Sequence, residues 1–412
     1  MHHLVVTFRG MIRQLTLPAL LIFGVGLWGC GEEQSPWERH IEQGTSFMAQ
    51  GKFPEAQKAL QEALALSEKF GAQDPRRIQS LTNLAILHNT KGEPEQAEDL
   101  LKQAIAIQEK ESNLPSTDLA ASLSNLGALY VTQKKFDEAQ PVFERALSLR
   151  EQALGKDDPI VIKDLENLAG LFVRQQQYAE AEPYLNRALS STEQAKGQEA
   201  PELVGPLNNL ALLYRAQEQY DKAEAVLQRA LAIKEKELGP SNPHLIGSLN
   251  NLALLYSTAK QFDKAEPLLQ RMLLIAEEGY GKEHPRVALT LNQIAEIQQL
   301  QGHTAQAIPL MKRAVAIIEK AEGPDHSGLT GPLNNLALLY MKEERFEEAA
   351  PLFERTIALT ETSMGKDSVR VERALRNYAT LLRKMGREEE AAQQENRANA
   401  IKEKNNPATQ SG

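Results

Sequence analysis

A short sequence box recurs every 42 residues along most of this chain, and this spacing constrains the fold more than any other feature. The box has the form Leu-x-(Asn/Gln)-(Leu/Ile/Tyr), and its clearest copies read LNNLALLY. Eight copies begin at Leu81, Leu123, Leu165, Leu207, Leu249, Leu291, Leu333 and Leu375. A fixed period of this length is typical of proteins in which one structural unit stacks on the next. We therefore expect a repeat protein instead of one large globular core.

Each unit has the pattern of two helices joined by a short turn. In the fifth unit, apolar residues follow helical spacing at Leu207, Leu210 and Tyr214, and after a break the spacing resumes at Leu227. A ninth, degenerate unit opens near Trp37. Aromatic residues make up only 5% of the chain, while Leu, Ala, Glu, Gln and Lys are abundant, which favours helix. The sequence predicts an all-α chain of about nine helical hairpins.

The ends of the predicted helices are marked at the same period. One series of glycines, expected to take the left-handed conformation at helix C-termini, is Gly155, Gly197, Gly239, Gly281, Gly323 and Gly365. Asp74, Asp158 and Asn242 each precede a proline. We expect these three side chains to cap the N-terminus of the following helix, with proline in its first position.

Charge and cysteine content exclude several classes of function. The formal net charge is −9 at pH 7, so nucleic acid is a poor partner. Cys30 is the only cysteine, which rules out an intramolecular disulfide and a metal site built from several cysteines. Its position near the N-terminus suggests a different role.

The first thirty residues have the pattern of a secretion signal. Arg9 and Arg13 precede an apolar stretch over residues 15–28, which is short for a membrane-spanning helix but suits a signal peptide. The stretch ends in Leu-Trp-Gly-Cys at Cys30, which resembles the bacterial lipobox, where the cysteine is lipidated and becomes the new N-terminus. We expect a lipoprotein signal peptide over 1–29, a short tether over 30–36, and attachment to a membrane by lipid at Cys30. An ordinary signal peptide or an uncleaved anchor is the alternative.

The residue after the cysteine indicates a location. Gly31, and not aspartate, follows Cys30. By resemblance to the enterobacterial sorting pattern, this implies lipid anchoring in the bacterial cell envelope, at the outer membrane and facing the periplasm.

The hairpins resemble tetratricopeptide repeats, and the 42-residue unit with its LNNLALLY box is similar to that of kinesin light chains. The resemblance extends from about Trp37 to Asn405. It implies a right-handed α-solenoid superhelix over residues 37–404, followed by a disordered tail over 405–412. The family is defined by its scaffold, so the resemblance says little about which partner is bound.

By this resemblance, the first helix of each hairpin lines a concave wall, and the third residue of the box points into it. That position holds an amide in every copy, namely Asn83, Asn125, Asn167, Asn209, Asn251, Gln293, Asn335 and Asn377. Central copies add a second amide at Asn208, Asn250, Asn292 and Asn334. Amides can hydrogen-bond the backbone of an extended peptide of any sequence. The alternative is that each amide bonds to the neighbouring hairpin and fixes the register between repeats.

Apolar and charged residues accompany the amides. Leu212, Leu254 and Leu338 lie three residues beyond them, as pockets for a partner or as half-buried packing residues. Lys163, Glu166, Arg215, Arg373 and Arg376 are expected along the same wall, as a solvated rim or as a weakly basic mouth for an acidic partner.

A second series, on the second helices, comprises Arg145, Arg187, Arg229, Arg271, Arg313, Arg355 and Arg397. We expect these arginines to be structural and to pair with acids such as Glu144, Glu182, Glu224 and Glu266; a role in partner binding is the alternative.

Nothing in the sequence predicts catalysis, a metal or a cofactor. The chain has no GxSxG, HExxH or Walker-type motif. His284 and His326 lie one repeat apart, too far to share a metal ion. We expect a membrane-anchored scaffold or adaptor that holds a segment of a partner protein in its groove. The alternative is a structural spacer or assembly factor of an envelope complex that acts through its ends and convex face.

Overall fold

The computed structural model describes residues 34–71, 73–110 and 116–405. Cys30, the predicted signal peptide and residues 406–412 of the predicted tail lie outside these residues. All regular structure in the described part of the chain is helical, which confirms the predicted all-α class. None of the described helices is both long enough and apolar enough to span a membrane.

The described helices form nine consecutive pairs, which we call first and second helices. The first helices are α1 (Pro36–Ala49), α3 (Pro75–Lys91), α5 (Ser116–Thr132), α7 (Pro159–Arg174), α9 (Val204–Ala216), α11 (Ile246–Thr258), α13 (Pro285–Leu300), α15 (Thr330–Lys342) and α17 (Val369–Lys384). The second helices are α2 (Phe53–Ser67), α4 (Pro94–Lys110), α6 (Phe136–Leu154), α8 (Tyr178–Lys196), α10 (Tyr220–Leu238), α12 (Phe262–Tyr280), α14 (Thr304–Glu322), α16 (Phe346–Met364) and α18 (Glu388–Lys404).

The described residues divide into two compact units, the first up to residue 226 and the second from residue 227, with the boundary inside α10. Within each unit, a first helix packs against the second helix of its own hairpin, and that second helix packs against the next first helix. Each unit is therefore a stack of hairpins, as the repeat pattern predicted.

The two helices of a hairpin approach each other at one alanine of the second helix. This position is fully buried in all nine hairpins, at Ala56, Ala97, Ala139, Ala181, Ala223, Ala265, Ala307, Ala349 and Ala391. A glycine plays the same part on two first helices, since a Cβ on Gly127 would lie 2.7 Å from the Phe143 ring and one on Gly44 would lie 2.5 Å from Leu60. Larger side chains at these positions would force the helices apart.

Helix starts follow the sequence prediction. The carboxylates of Asp74 and Asp158 accept hydrogen bonds from the backbone N–H two residues later, and so does the amide oxygen of Asn242. The helix ends differ from it. Gly155 and Gly281 have φ of 89° and 91°, but their ψ values of 164° and 151° lie outside the left-handed helical region. The prediction of left-handed helical conformation was therefore wrong. The observed combination of positive φ with ψ above 150° is almost exclusive to glycine.

The arginine series pairs between hairpins, but with other acids than expected. Six of the seven arginines, all but Arg229, are seen to reach a glutamate 36 residues earlier, on the preceding second helix. Nitrogen–oxygen distances are 2.5–2.6 Å for Arg145–Glu109, Arg187–Glu151, Arg271–Glu235 and Arg313–Glu277. Arg355–Glu319 and Arg397–Glu361 repeat the contact. Where the pairing is seen, the predicted partners were wrong because the arginine side chain reaches across to the preceding second helix instead of along its own helix. Glu182, for example, accepts a hydrogen bond from Tyr214 at 3.1 Å.

Glu98 joins the second and third hairpins. Its carboxylate contacts Lys102 at 2.7 Å and Lys135 at 2.9 Å, and it accepts a hydrogen bond from Tyr130. Burial by itself would raise the pKa of Glu98, but the hydrogen bonds and positive charges of the two lysines outweigh it and hold the pKa at about 2.

This lowered pKa predicts a pH-dependent contribution to stability. An acid with a depressed pKa stabilises the fold above its ordinary value of 4.5 and loses that effect as the pH falls towards about 2. We expect Glu98→Gln to lower the free energy of unfolding by about 1–2 kcal/mol at pH 7, after allowing for the solvent around the two lysines, and by much less at pH 2–3. Urea denaturation at both pH values measures this. Glu95→Gln, an exposed acid on the same helix, should change little, and an equal loss for Glu98→Gln at both pH values would contradict the prediction.

Candidate functional site

The third residue of each box lies on the side of its first helix that bears the amide series, and we call this side the amide face. Asn167, Asn209, Asn251, Gln293, Asn335 and Asn377 are half-buried. Asn83 and Asn125, on α3 and α5, are buried, with only 1% and 3% of their surface exposed. The predicted amides therefore lie on the same side of their own first helices, but the two earliest offer little surface to a partner.

Amides of successive boxes hydrogen-bond to each other in the second unit. Gln293 donates from Nε2 to Oδ1 of Asn250 at 2.6 Å, Asn335 donates to Asn292 at 3.2 Å, and Asn377 donates to Asn334 at 2.9 Å. In each case the third residue of a box donates to the second residue of the preceding box. We call these bonds amide clasps. They supply the contacts that the register interpretation requires, while peptide binding by the same residues stays a prediction.

The first unit has one clasp of a different kind. Asn209 donates from Nδ2 to Oε1 of Glu166 at 3.0 Å, and Lys163 lies 3.2 Å from the other oxygen of that carboxylate. A charged acceptor strengthens the hydrogen bond. The third box residue donates in every clasp seen, so the second residue of the preceding box determines whether the acceptor is an amide or a carboxylate. The repeat period alone did not predict this.

The apolar members of the amide face differ in exposure. Leu212, Leu254 and Leu338 are half-buried, and Leu338 packs against the core of its unit. Leu289 and Leu300 on α13 are much more exposed, at 65% and 54%. The repeat pattern did not predict either of them, because both repeat positions vary from hairpin to hairpin. Their distances along α13 from Leu291 would have placed them on this face.

Leu289 occupies a repeat position that holds glycine in three other hairpins. These glycines are Gly205, Gly247 and Gly331, all exposed on first helices. A Cβ added to any of them would meet nothing within 4 Å. Contacts with distant residues do not require glycine here, although Gly205 and Gly331 each precede a proline, whose ring disfavours a larger residue before it in a helix. At these three positions no side chain covers the backbone of the first helix.

Charge on the amide face is concentrated in the last hairpins. Arg373 and Lys384 on α17 and Lys342 on α15 are exposed. Arg376 pairs with Glu372 at 2.9 Å and also donates to Asn399. Arg215, which was expected along the same wall, is only 9% exposed, and burial lowers its pKa. It belongs to the interior, because in the last turn of α9 it lies about 120° around the helix from Asn209.

Sequence reasoning also missed a buried polar cluster in the first unit. Arg150 contacts Asp164 at 2.5 Å with both side chains almost fully buried, and Ser124 donates to the same carboxylate at 3.2 Å. Burial raises the pKa of Asp164, and the charge and hydrogen bond of Arg150 offset part of the rise. The cluster joins α5, α6 and α7 and is closed to a partner.

No group of three or more metal-ligating side chains occurs among residues 34–71, 73–110 and 116–405. His284 and His326 each accept a hydrogen bond from the backbone N–H two residues later, which makes them helix caps. The described residues thus give these histidines a local structural role.

The family model for the tetratricopeptide repeat matches residues 40–110, 118–194, 203–273, 245–320 and 330–404. These matches cover most of the chain and coincide with the hairpins. No protein of curated function matches the chain.

Several solved structures are similar. Aspartyl phosphate phosphatase F from Bacillus subtilis is 16% identical, with a TM-score of 0.51 over 91% of this chain and 96% of that one. The apo form of RapI is 15% identical, with a TM-score of 0.55 over 90% and 98%. A putative kinesin light chain from Podosopora anserina with nearly identical repeats is 24% identical, with a TM-score of 0.45 over 51% and 99%. At such identities the similarity shows the fold alone.

The amide clasps predict a measurable coupling between side chains 43 residues apart. In a double-mutant cycle of Asn334→Ala and Asn377→Ala, we expect a coupling of about 0.5–1.5 kcal/mol, because either change removes the same hydrogen bond. Urea denaturation of the four proteins gives the value. The pair Asn292→Ala and Asn377→Ala, which share no clasp, should be additive to within about 0.5 kcal/mol. Additivity in both cycles would mean that the clasp does not form in solution.

Proposed function

The chain belongs to the tetratricopeptide repeat family, whose repeats form protein-interaction scaffolds, and from this premise we propose that it is a non-enzymatic scaffold lipid-anchored in the bacterial cell envelope. In this proposal the amide face holds a segment of a partner protein, and lipid at Cys30 attaches the scaffold to the outer membrane on its periplasmic side. The observation that carries the binding function is the exposed amide face of the second unit.

Three properties of this face support partner binding. The clasps use only one donor of each third-position amide, so polar groups remain for a partner. Leu289 and Leu300 present apolar surface that the fold does not need to expose. The open backbone at Gly247 and Gly331 lets a partner approach closely.

Support for anchoring comes from the sequence. The only cysteine of the chain stands directly after an apolar stretch that follows two arginines, as lipid attachment requires. The described helices begin at Pro36, so five residues separate it from Cys30 and their reach is about 20 Å. The first hairpins would then lie close to the membrane surface.

Filling the open positions of the amide face tests the binding function without breaking a clasp. We expect the triple variant Gly205→Gln, Gly247→Gln and Gly331→Gln to keep the helical fold, which circular dichroism checks, because a Cβ at these positions meets nothing within 4 Å beyond the chain neighbours. The same variant should lose the partner, since three long side chains would occupy the face. Affinity purification from cross-linked envelopes at matched protein abundance measures the loss.

The chain provides a matched control. Ala232, Ala316 and Ala358 are exposed on second helices at a single repeat position. Replacing all three by glutamine adds similar side chains away from the amide face and should keep the partner. A partner set that neither triple variant changes would refute binding on the amide face and favour the spacer that acts through its ends and convex side.

Anchoring is tested independently. We expect Cys30→Ser to move the protein from the membrane fraction to the soluble fraction, because no other cysteine can accept lipid. Fractionation, together with mass spectrometry of the mature N-terminus, measures this. The circular dichroism spectrum should not change. Membrane association that survives the substitution would contradict lipid anchoring at Cys30.

A further inference from the structure

We infer that the partner presents an acidic amphipathic α-helix to the amide face of the second unit, where α11, α13, α15 and α17 lie side by side. This inference rests on the proposed function and specifies the segment that is bound. An extended strand is the alternative occupant.

The clasps favour a helix over an extended strand as the principal ligand. An extended segment needs partners for its own backbone N–H and C=O groups when it is buried. The amides in a position to supply them, such as Gln293 and Asn335, each commit one N–H to a clasp with Asn250 or Asn292, which leaves fewer groups for a strand. A helix satisfies its backbone internally, so it needs from this face mainly apolar contact and complementary charge.

The exposed leucines have the spacing of a helical partner. Leu289 and Leu300 are eleven residues apart on α13, which is three helical turns and about 16 Å. Gln293 and Glu296 lie between them on the same stripe. Because helices pack through stripes of this period, a helix lying along α13 would cover both leucines with its own apolar stripe.

The neighbouring hairpins leave room for such a helix. At the level of Leu289, the flanking first helices carry Gly247 and Gly331, and nothing lies within 4 Å of a Cβ built on either. Leu254 and Leu338 occupy the next level on those helices and are half-buried. The protruding leucine thus stands between two open positions, which suits the ridges and grooves of a packed helix.

Charge complementarity sets the character of the partner. Arg373, Lys384 and Lys342 are exposed at the end of the face towards the last hairpin, and Glu296 is the exposed acid on the stripe of α13. The chain as a whole carries more acids than bases, so this local excess of positive charge stands out against its background. A helix with acids on its polar side would be attracted here.

Site-specific photo-cross-linking of the full-length protein in its own cells tests the inference. A photoreactive phenylalanine analogue replaces Leu289 in one strain, Leu300 in a second, and Leu274 in a third as the control. Leu274 is 60% exposed on the second helix α12, away from the amide face. The cross-linked residues of the partner are then identified by mass spectrometry.

A helical partner predicts that positions 289 and 300 cross-link to one segment at sites about eleven residues apart. An extended partner spans the same distance in about five residues. The helix inference is supported by the longer separation in a segment rich in acids, with no such product from position 274. It is overturned by a separation near five, or by a segment without excess acid.

Reversing the charge of two basic residues is the second test of the inference. Arg373→Glu with Lys384→Glu should lower the cross-linking yield at both leucine positions at least about tenfold. Lys282→Glu with Lys366→Glu, in exposed loops, should leave it unchanged. An equal yield in both double variants overturns the acidic character of the partner.

The two levels of the proposal can fail separately. If neither leucine position cross-links but the glycine-to-glutamine triple variant loses its partner, the amide face binds and only the helix inference fails. If neither position cross-links and that variant also keeps its partner, binding on the amide face fails with it.

Discussion

The fold depends on the fact that no hairpin of this chain can bury its apolar side alone. Each hairpin spans 32–39 residues and leaves one side of its seam open, so it must pack against the next hairpin. The fully buried alanine in every second helix shows how this is achieved. With only a methyl group at that point, the backbones come close enough for leucines such as Leu207 and Leu249 to fill the space between hairpins.

Apolar packing of this kind does not fix the register between hairpins, because leucines of similar size can slide past one another. Three kinds of polar contact fix this register. Amide clasps join residues 43 apart, the arginine–glutamate pairs join residues 36 apart, and bonds such as Tyr214 to Glu182 join residues 32 apart. Each surface contact contributes little by itself. Because their spacings all follow from the same 42-residue period, a shift of one residue would break all of them together.

The sequence predicts the architecture well because period, caps and apolar stripe all agree on it. Asp74 and Asp158 cap the helices as expected, and the helical pairs appear where the boxes place them. Partners of individual side chains were less predictable. The arginines were assigned to acids on their own helices, whereas the structure pairs them across hairpins, since the spacing between stacked helices is not written in any single repeat. Arg150 and Asp164 were missed for the same reason, because each lies on a different hairpin.

The structure also changes what a series of amides means for a repeat protein. Read along the sequence, the asparagines form a ladder open to any extended peptide. In the fold, several of these amides hydrogen-bond to amides of the neighbouring hairpin. The residues that differ between hairpins then say more about the partner than the repeated ones do. Leu289 occupies a repeat position that holds glycine in three other hairpins, and Arg373 occupies the same position in the last hairpin. The repeated residues therefore hold the stack in register, while the exceptions give the face the apolar and positive character that would select a particular partner.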